Sequence, residues 1–456
     1  MRQLPALLLA TTLGLALAGC QTQTVQKQPL KASSLVKPTQ KAAPSASQPE
    51  DSDLWQLTRQ HLQLPLDYQH PRLESQLNWY LRHPGHMPRV TERAQPYYHH
   101  ILHEVLKRDM PAEIALLPIV ESAYDPFAYS HGSAAGPWQF IPGTARHFGL
   151  RSSWWYDGRR DILASTDAAL TYLEQLHRRF DGDWLLALAA YNAGGGTVSR
   201  AMRRNREQNK PTDFWSLELP GETKAYVPKL LAVARMVRDA DTLGITLTPI
   251  DNSPHFEAVE TGGQIDLAQA ASMAGLNLDT LYQLNPGFNR WATDPEGPHL
   301  LLVPRERAAS LREALHSLPP EKRVNWHRYT VRPGDTLSTI ARRFNSSVSV
   351  IRQGNKLDNH LIRAGQALLV PKPSASSDSY SLSMEQRIQA ERQQLEQRAK
   401  RKHYHRVNSG ESFWSIARRY GVGVRDLARW NQMAPGDTLK IGQTLLLLNV
   451  DIADAS

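Results

Sequence analysis

Apolar positions recur at helical spacing through the first half of this chain, and at a mixed strand and helix spacing in the second. From Asp51 onward, Leu54, Trp55, Leu57 and Leu62, then Leu77, Trp79 and Leu81, fall on helix faces that need a partner to cover them. They predict a helical extension over 51–94 that packs against the segment after it. The block 95–245 is mainly α by the same pattern. Within it, Pro111 suits the first turn of a helix leading to Glu121, where a missing N–H costs nothing. Ser165 or Thr166 suits the cap of a helix through Leu173. Asp183 suits the cap of another from Trp184 to Tyr191, which Gly194-Gly195-Gly196 stops.

The second half carries a duplication. Tyr329–Phe344 aligns with His405–Tyr420, 76 residues on, and Asn355 and Asn431 keep that offset. Each copy closes on Gly-Gln, at 365–366 and 442–443, followed by a short apolar strand. The order is strand, helix, helix, strand, giving small α+β modules at 328–372 and 404–449. Duplicated small modules usually bind, because two weak sites on one chain gain avidity. A fainter copy, without the Pro-Gly-Asp-Thr start, runs through Asp266, Leu281 and Leu300–Pro304, and is read as a degenerate module over 255–305. The stretch 373–403 reads as a linker, loop-like over Ser374–Ser383 and then a charged, Gln-rich, solvated helix.

At 456 residues the chain has room for about three domains. Its single cysteine, Cys20, excludes an intrachain disulfide. No CxxC, HExxH, GxGxxG or P-loop motif occurs, so no metal and no organic cofactor is expected. The apolar run Leu4–Ala16 follows Arg2 and is short for a membrane span. Leu17-Ala18-Gly19-Cys20 then resembles a bacterial lipobox. The expectation is a signal peptide at 1–19, lipidation at Cys20 and a disordered tether over 20–50. Gln21, in place of Asp, favours the periplasmic face of a Gram-negative outer membrane. From Glu321 onward there are 22 Lys and Arg against 12 Asp and Glu, while the remainder is close to neutral. A basic C-terminal third suits an anionic polymer or surface, and export argues against nucleic acid.

The candidate chemistry centres on Glu121, at the end of the apolar segment Ala115–Val120. Desolvation raises a carboxyl pKa, so such a group can hold a proton near neutrality and act as a general acid. Protonating a glycosidic oxygen is the first step of most sugar-cleaving reactions. Downstream, Ser130, Gly136-Pro137-Trp138-Gln139-Phe140-Ile141 and Ala190-Tyr191-Asn192-Ala193-Gly194 interleave polar and aromatic groups, as a sugar-binding cleft does. Trp138 reads as a packing residue. Tyr191 and Phe140 fit either cleft or core, Gln139 either sugar contact or support, and Glu222 by itself reads as a helix cap.

Glu121-Ser122, Ser130, Gly136–Gln139, Ala190–Gly194 and Glu222-Thr223-Lys224-Ala225-Tyr226-Val227 together resemble the ordered motifs of the lytic murein transglycosylases. Those enzymes have a lysozyme-like, goose-type catalytic domain. Pro137 departs from the family's usual Leu. The duplicated modules are similar to LysM domains. The resemblance implies a multidomain chain that acts on peptidoglycan glycan strands, with Glu121 catalytic. Ser130, Gln139, Phe140, Ile141, Tyr191, Asn192 and Glu222 would contact or support substrate: Ser130 the N-acetyl group, Gln139 and Asn192 amides and hydroxyls, Tyr191 by its hydroxyl, Phe140 and Ile141 as an apolar wall, and Glu222 by hydrogen bonding. Gly334, Asp335, Thr336, Gly410, Glu411 and Ser412 would lie at the glycan grooves of the modules. The expected product is a 1,6-anhydro end formed without water. A hydrolytic muramidase of the same fold and a non-catalytic wall-binding scaffold are the alternatives. Protein partners are not legible.

Overall fold

The computed structural model describes residues 52–130, 132–398, 402–431, 433 and 435–448. The expected signal peptide, Cys20 and the tether lie outside the described residues.

Among the described residues, ten α-helices build the N-terminal half: α1 (Leu54–Gln60), α2 (Pro71–Leu81), α3 (His86–Ala94), α4 (Tyr98–Leu106), α5 (Leu117–Ser122), α6 (Pro142–His147), α7 (Ile162–Arg179), α8 (Trp184–Ala193), α9 (Gly195–Glu207) and α10 (Gly221–Arg238). Local chemistry starts them. Asp53, Asp161 and Asp183 cap α1, α7 and α8 by accepting backbone N–H groups, and Pro118 stands in the first turn of α5. The cap of α7 is therefore Asp161. Ser165 and Thr166 are buried within the helix, because the apolar face begins at Ile162, before them. Pro111 caps a short 3-10 turn, Ala112–Leu116, that feeds α5. Gly194 ends α8 and at once caps α9.

The extension 51–94 shares one core with the block that follows. Trp55 is fully buried against Tyr98, with ring centroids 4.7 Å apart, and its Nε1 donates to the Thr248 carbonyl at 2.8 Å. Burial of a side chain this large stabilises by about 2–3 kcal/mol. Glu113 is fully buried, and its carboxylate accepts the backbone N–H groups of Gln63 and Leu64. The extension is thereby fastened beside the turn that delivers Glu121.

Three two-stranded antiparallel sheets follow: β1 (Phe256–Glu260) with β2 (Leu300–Pro304), β3 (Asn325–Thr330) with β4 (Ala367–Lys372), and β5 (Lys402–Arg406) with β6 (Thr444–Leu448). In each module two short helices lie between the paired strands. The first module runs on past 305. The next helix, Arg305–Ser317, buries Ala308, Leu311 and Leu315 in the same apolar cluster as Val259, Leu281 and Leu301. Trp155 and Tyr156 of the helical half belong to that cluster too, and Asp157 N–H donates to the Gly287 carbonyl at 2.8 Å.

The stretch 374–387 is docked, in contrast to the solvated linker its charge suggests. Tyr380 is buried and donates to Asp266. The Arg387 guanidinium lies 4.5 Å from the centroid of the Phe127 ring. Long polar side chains cover apolar surface with their stems, which is why a Gln- and Arg-rich helix can pack.

Candidate active site

Glu121 owes its position to a forced reversal. α5 ends at Ala123 and Tyr124, both left-handed at φ +51° and +55°, an uncommon backbone state for residues with a Cβ. Tyr124 is fully buried, and its hydroxyl donates to the Ala115 carbonyl at 2.7 Å. The chain therefore turns away just after Glu121, leaving that side chain at the cleft. Ser122 Oγ lies 3.1 Å from the carbonyls of both Pro118 and Pro137, tying α5 to the opposite wall.

That wall is the turn 135–141. Gly136 takes φ +80°, and a Cβ there would sit 2.0 Å from the Arg159 carbonyl oxygen, so only glycine fits. Gln139 is also left-handed, at φ +49°, and its Nε2 donates to the Gly136 carbonyl at 2.8 Å. Trp138 is buried and donates to Thr166 Oγ1. Pro137 is accommodated without loss of these contacts.

All eight residues expected at the catalytic site line one cleft of about 510 Å³: Glu121, Ser130, Gln139, Phe140, Ile141, Tyr191, Asn192 and Glu222. Their side chains do different work from some of the roles expected. The Tyr191 hydroxyl donates to the Trp138 carbonyl at 2.9 Å, so it orders the wall. Phe140 is only 3% exposed and forms core beneath the cleft, while Ile141 is 50% exposed at its mouth. Ser130 Oγ accepts the Ala134 N–H at 3.1 Å. Glu222, expected to support the cleft by hydrogen bonding, makes no side-chain hydrogen bond among the described residues. It is an exposed charge in the first turn of α10, where the helix dipole favours an acid.

Three contributors were given no role from the sequence, although Thr223 and Tyr226 stand in the motif Glu222–Val227. Tyr226 donates to Glu121 Oε1 at 2.5 Å, Lys229 lines the cleft, and Thr223 donates to Asn192 Oδ1 at 2.7 Å. Positions 222, 226 and 229 fall on one face of α10, four and seven residues apart. That spacing was a usable signal.

Burial sets the electrostatics. Glu121 keeps some exposure to the cleft, but protein atoms crowd its carboxyl, and desolvation pushes its pKa up to about 7. The Tyr226 hydrogen bond opposes that rise, the Glu222 charge adds to it and Lys229 opposes it. Burial also holds the phenols of Tyr191 and Tyr226 well above their ordinary value, so both stay neutral donors. Asp125 is not among the cleft residues; its Oδ1 accepts the Phe127 N–H at 2.9 Å in a turn. The arrangement is one proton-carrying carboxyl, a neutral phenol donor and surrounding amides.

In the duplicated modules the loop carboxylates face inward. Asp335 accepts from Tyr329 Oη at 2.6 Å and from Arg332 N–H at 2.8 Å, and pairs with Arg343. Glu411 accepts from His405 Nε2 at 2.7 Å and from Asn408 N–H at 2.8 Å, and pairs with Arg419. Thr336 and Ser412 are helix caps in capping boxes. Gly334 and Gly410 take φ +84° and +81°, leaving backbone at these loops free of side chains.

The helical half with this cleft, joined to strand–helix–helix–strand modules, is a lysozyme-like lytic transglycosylase with LysM modules. The family described as Transglycosylase SLT domain matches residues 103–214, the Lytic transglycosylase MltD, LysM-like domain matches 255–319, and the LysM domain matches 329–371 and 405–447. Membrane-bound lytic murein transglycosylase D of Escherichia coli (strain K12) is 38% identical over 419 residues, covering 89% of this chain and 88% of that protein. The chain belongs to the family of that enzyme and is a lytic murein transglycosylase. An autolysin of Enterococcus faecalis is 33% identical over 117 residues, 26% of this chain and 14% of its own. A solved inactive mutant of the lytic transglycosylase Slt from Pseudomonas aeruginosa is 23% identical and covers 43% of this chain and 33% of its own, with a TM-score of 0.25.

Proposed function

We propose that this enzyme cuts the glycan strand of peptidoglycan between N-acetylmuramic acid and N-acetylglucosamine, leaving a 1,6-anhydro end. Protonated Glu121 donates to the glycosidic oxygen, and positive charge develops at the muramic C1. The substrate's own N-acetyl group stabilises that charge, steadied by Ser130. Ionised Glu121 then takes the proton of the muramic 6-hydroxyl as its oxygen attacks C1. One group serves both steps only if its pKa lies near the working pH. The observation that carries this reading is Glu121, raised to about 7 by burial and held by a neutral phenol.

Gln139 and Asn192 supply amides to the sugars, and Tyr191 and Tyr226 hold the wall and the acid. The LysM modules hold the strand through the loops at Gly334–Thr336 and Gly410–Ser412. Cys20 carries the lipid that anchors the chain to the outer membrane, facing the periplasm.

The test is mass spectrometry of the products released from purified sacculi, with Glu121→Gln beside it. Products 18 Da lighter than reducing muropeptides, absent with the variant, are expected; 18 Da is the mass of the water that a hydrolase adds. Reducing ends would make the chain a muramidase. No release by either protein would make it a binding scaffold.

A further inference from the structure

A second groove, of about 470 Å³, opens beside the cleft and shares Thr144 and Tyr172 with it. The surface that continues from the cleft is lined there by His147, Gln175 and Arg179. No Asp or Glu lines this groove, and among the described residues Arg179 has no carboxylate within ion-pair distance.

Arg179 is nonetheless held in place. Its Nη2 donates to Ser199 Oγ at 3.1 Å. Its guanidinium lies beside Gly195, where an added Cβ would come within 3.0–3.3 Å of three of its atoms. A basic residue that merely balanced the C-terminal dipole of α7 would need neither contact. Gly195 opens α9, so the positive end of a thirteen-residue helix adjoins the guanidinium. A fixed, uncompensated guanidinium is the arrangement that binds a carboxylate by paired hydrogen bonds.

We infer that this groove is a subsite for a carboxylate borne by a muramic acid of the strand, with Arg179 as its main contact. The inference rests on the glycan-cleaving reading above. Two sources share the chemistry: the carboxylates of the stem peptide and the lactyl carboxylate of a muramic acid that has lost its peptide.

The experiment measures kcat/KM for release of anhydro ends by the wild type, Arg179→Gln and Arg179→Lys. It uses three soluble strands: peptide-bearing, stripped by an amidase, and with carboxyls converted to amides. Arg179→Gln should lose roughly five- to tenfold, through KM, on carboxylate-bearing strands. It should equal the wild type on amidated strands, and Arg179→Lys should recover part of the loss. A loss confined to peptide-bearing strands assigns the stem carboxylates, a loss confined to stripped strands assigns the lactyl group, and a loss on both means that the subsite takes either carboxylate. Equal loss on amidated strands, or none on any, overturns the subsite while leaving the enzyme reading intact. Absence of anhydro ends with the wild type would overturn that reading and the subsite with it. Arg179 is exposed, so an unchanged melting temperature is the control for folding.

Discussion

Glu121 in the cleft and Glu411 in the last module are the same chemical group in opposite settings. Glu121 is crowded by protein and accepts one hydrogen bond from a neutral phenol, and burial lifts its pKa to about 7. Glu411 is also little exposed, but it accepts a backbone N–H, a His405 N–H and an Arg419 guanidinium. Against the upward push of desolvation, those donors hold it down at about 2. Asp335 in the preceding module is lowered likewise, first by Tyr329, then by the Arg332 amide. Donors and cations decide whether an enclosed carboxylate is a strut or a proton carrier. The first kind builds a loop; the second does chemistry.

The sharpest break of this comparison is Glu121→Gln, which keeps the shape and removes the proton. Release of anhydro ends should fall by roughly 10³-fold or more, with melting temperature and binding of strands to the modules unchanged. Residual turnover near wild type would make Glu121 a strut as well.

Tyr226→Phe tests the phenol. Its hydrogen bond favours the ionised carboxylate, so its removal raises the pKa of Glu121 further. Activity needs the protonated acid first and declines as pH rises through about 7. In the variant that alkaline limb should move to higher pH, while the rate at the optimum falls by about 10- to 100-fold because Glu121 is no longer aimed. A limb that moves down, or does not move, would contradict the assignment; the pH profile of kcat/KM reads it.

Glu411→Gln addresses the other side. The folded pKa of Glu411 is below its unfolded value, so its stabilisation is present above about 4.3 and is lost as pH falls toward about 2. The variant should cost about 1 kcal/mol at neutral pH, and the difference from wild type should shrink in acid. Thermal melting of the whole chain at pH 7 and pH 3 checks both parts.

What the sequence disclosed follows from the range of each interaction. Glu121 could be read because its apolar neighbours are adjacent in the chain. The struts were not read: Asp335 and Glu411 were expected at the glycan grooves, although Tyr329 and His405, Asp335 and Glu411, and Arg343 and Arg419 each stand 76 residues apart in the two copies, a matched donor–acid–cation set. The Tyr226 contact spans 105 residues; helical spacing sets Tyr226 on one face with Glu222, but it does not say that Glu121 is the acid it meets. Docking of the Trp155 segment on the first module and of Arg387 on Phe127 likewise joins residues far apart, and a polar composition concealed the second. Tyr191 lines the cleft, yet its hydroxyl points at a backbone carbonyl, a direction that residue type cannot carry.

Glu222→Gln is the finest test. Among the acidic residues lining the cleft, Glu222 accompanies Glu121, and its negative charge disfavours ionisation of the acid. Neutralising it should lower the pKa of Glu121, so the alkaline limb of kcat/KM should move to lower pH, opposite to Tyr226→Phe. Glu222 is exposed, and solvent and salt screen its field, so the displacement should be a few tenths of a pH unit at low ionic strength and should vanish in about 1 M salt. A shift that survives salt would mean that Glu222 acts through a direct contact. A large loss of rate at every pH, without a shift, would give it a role in the reaction itself, and the cleft would then hold two working carboxylates instead of one proton carrier and one solvent-screened charge.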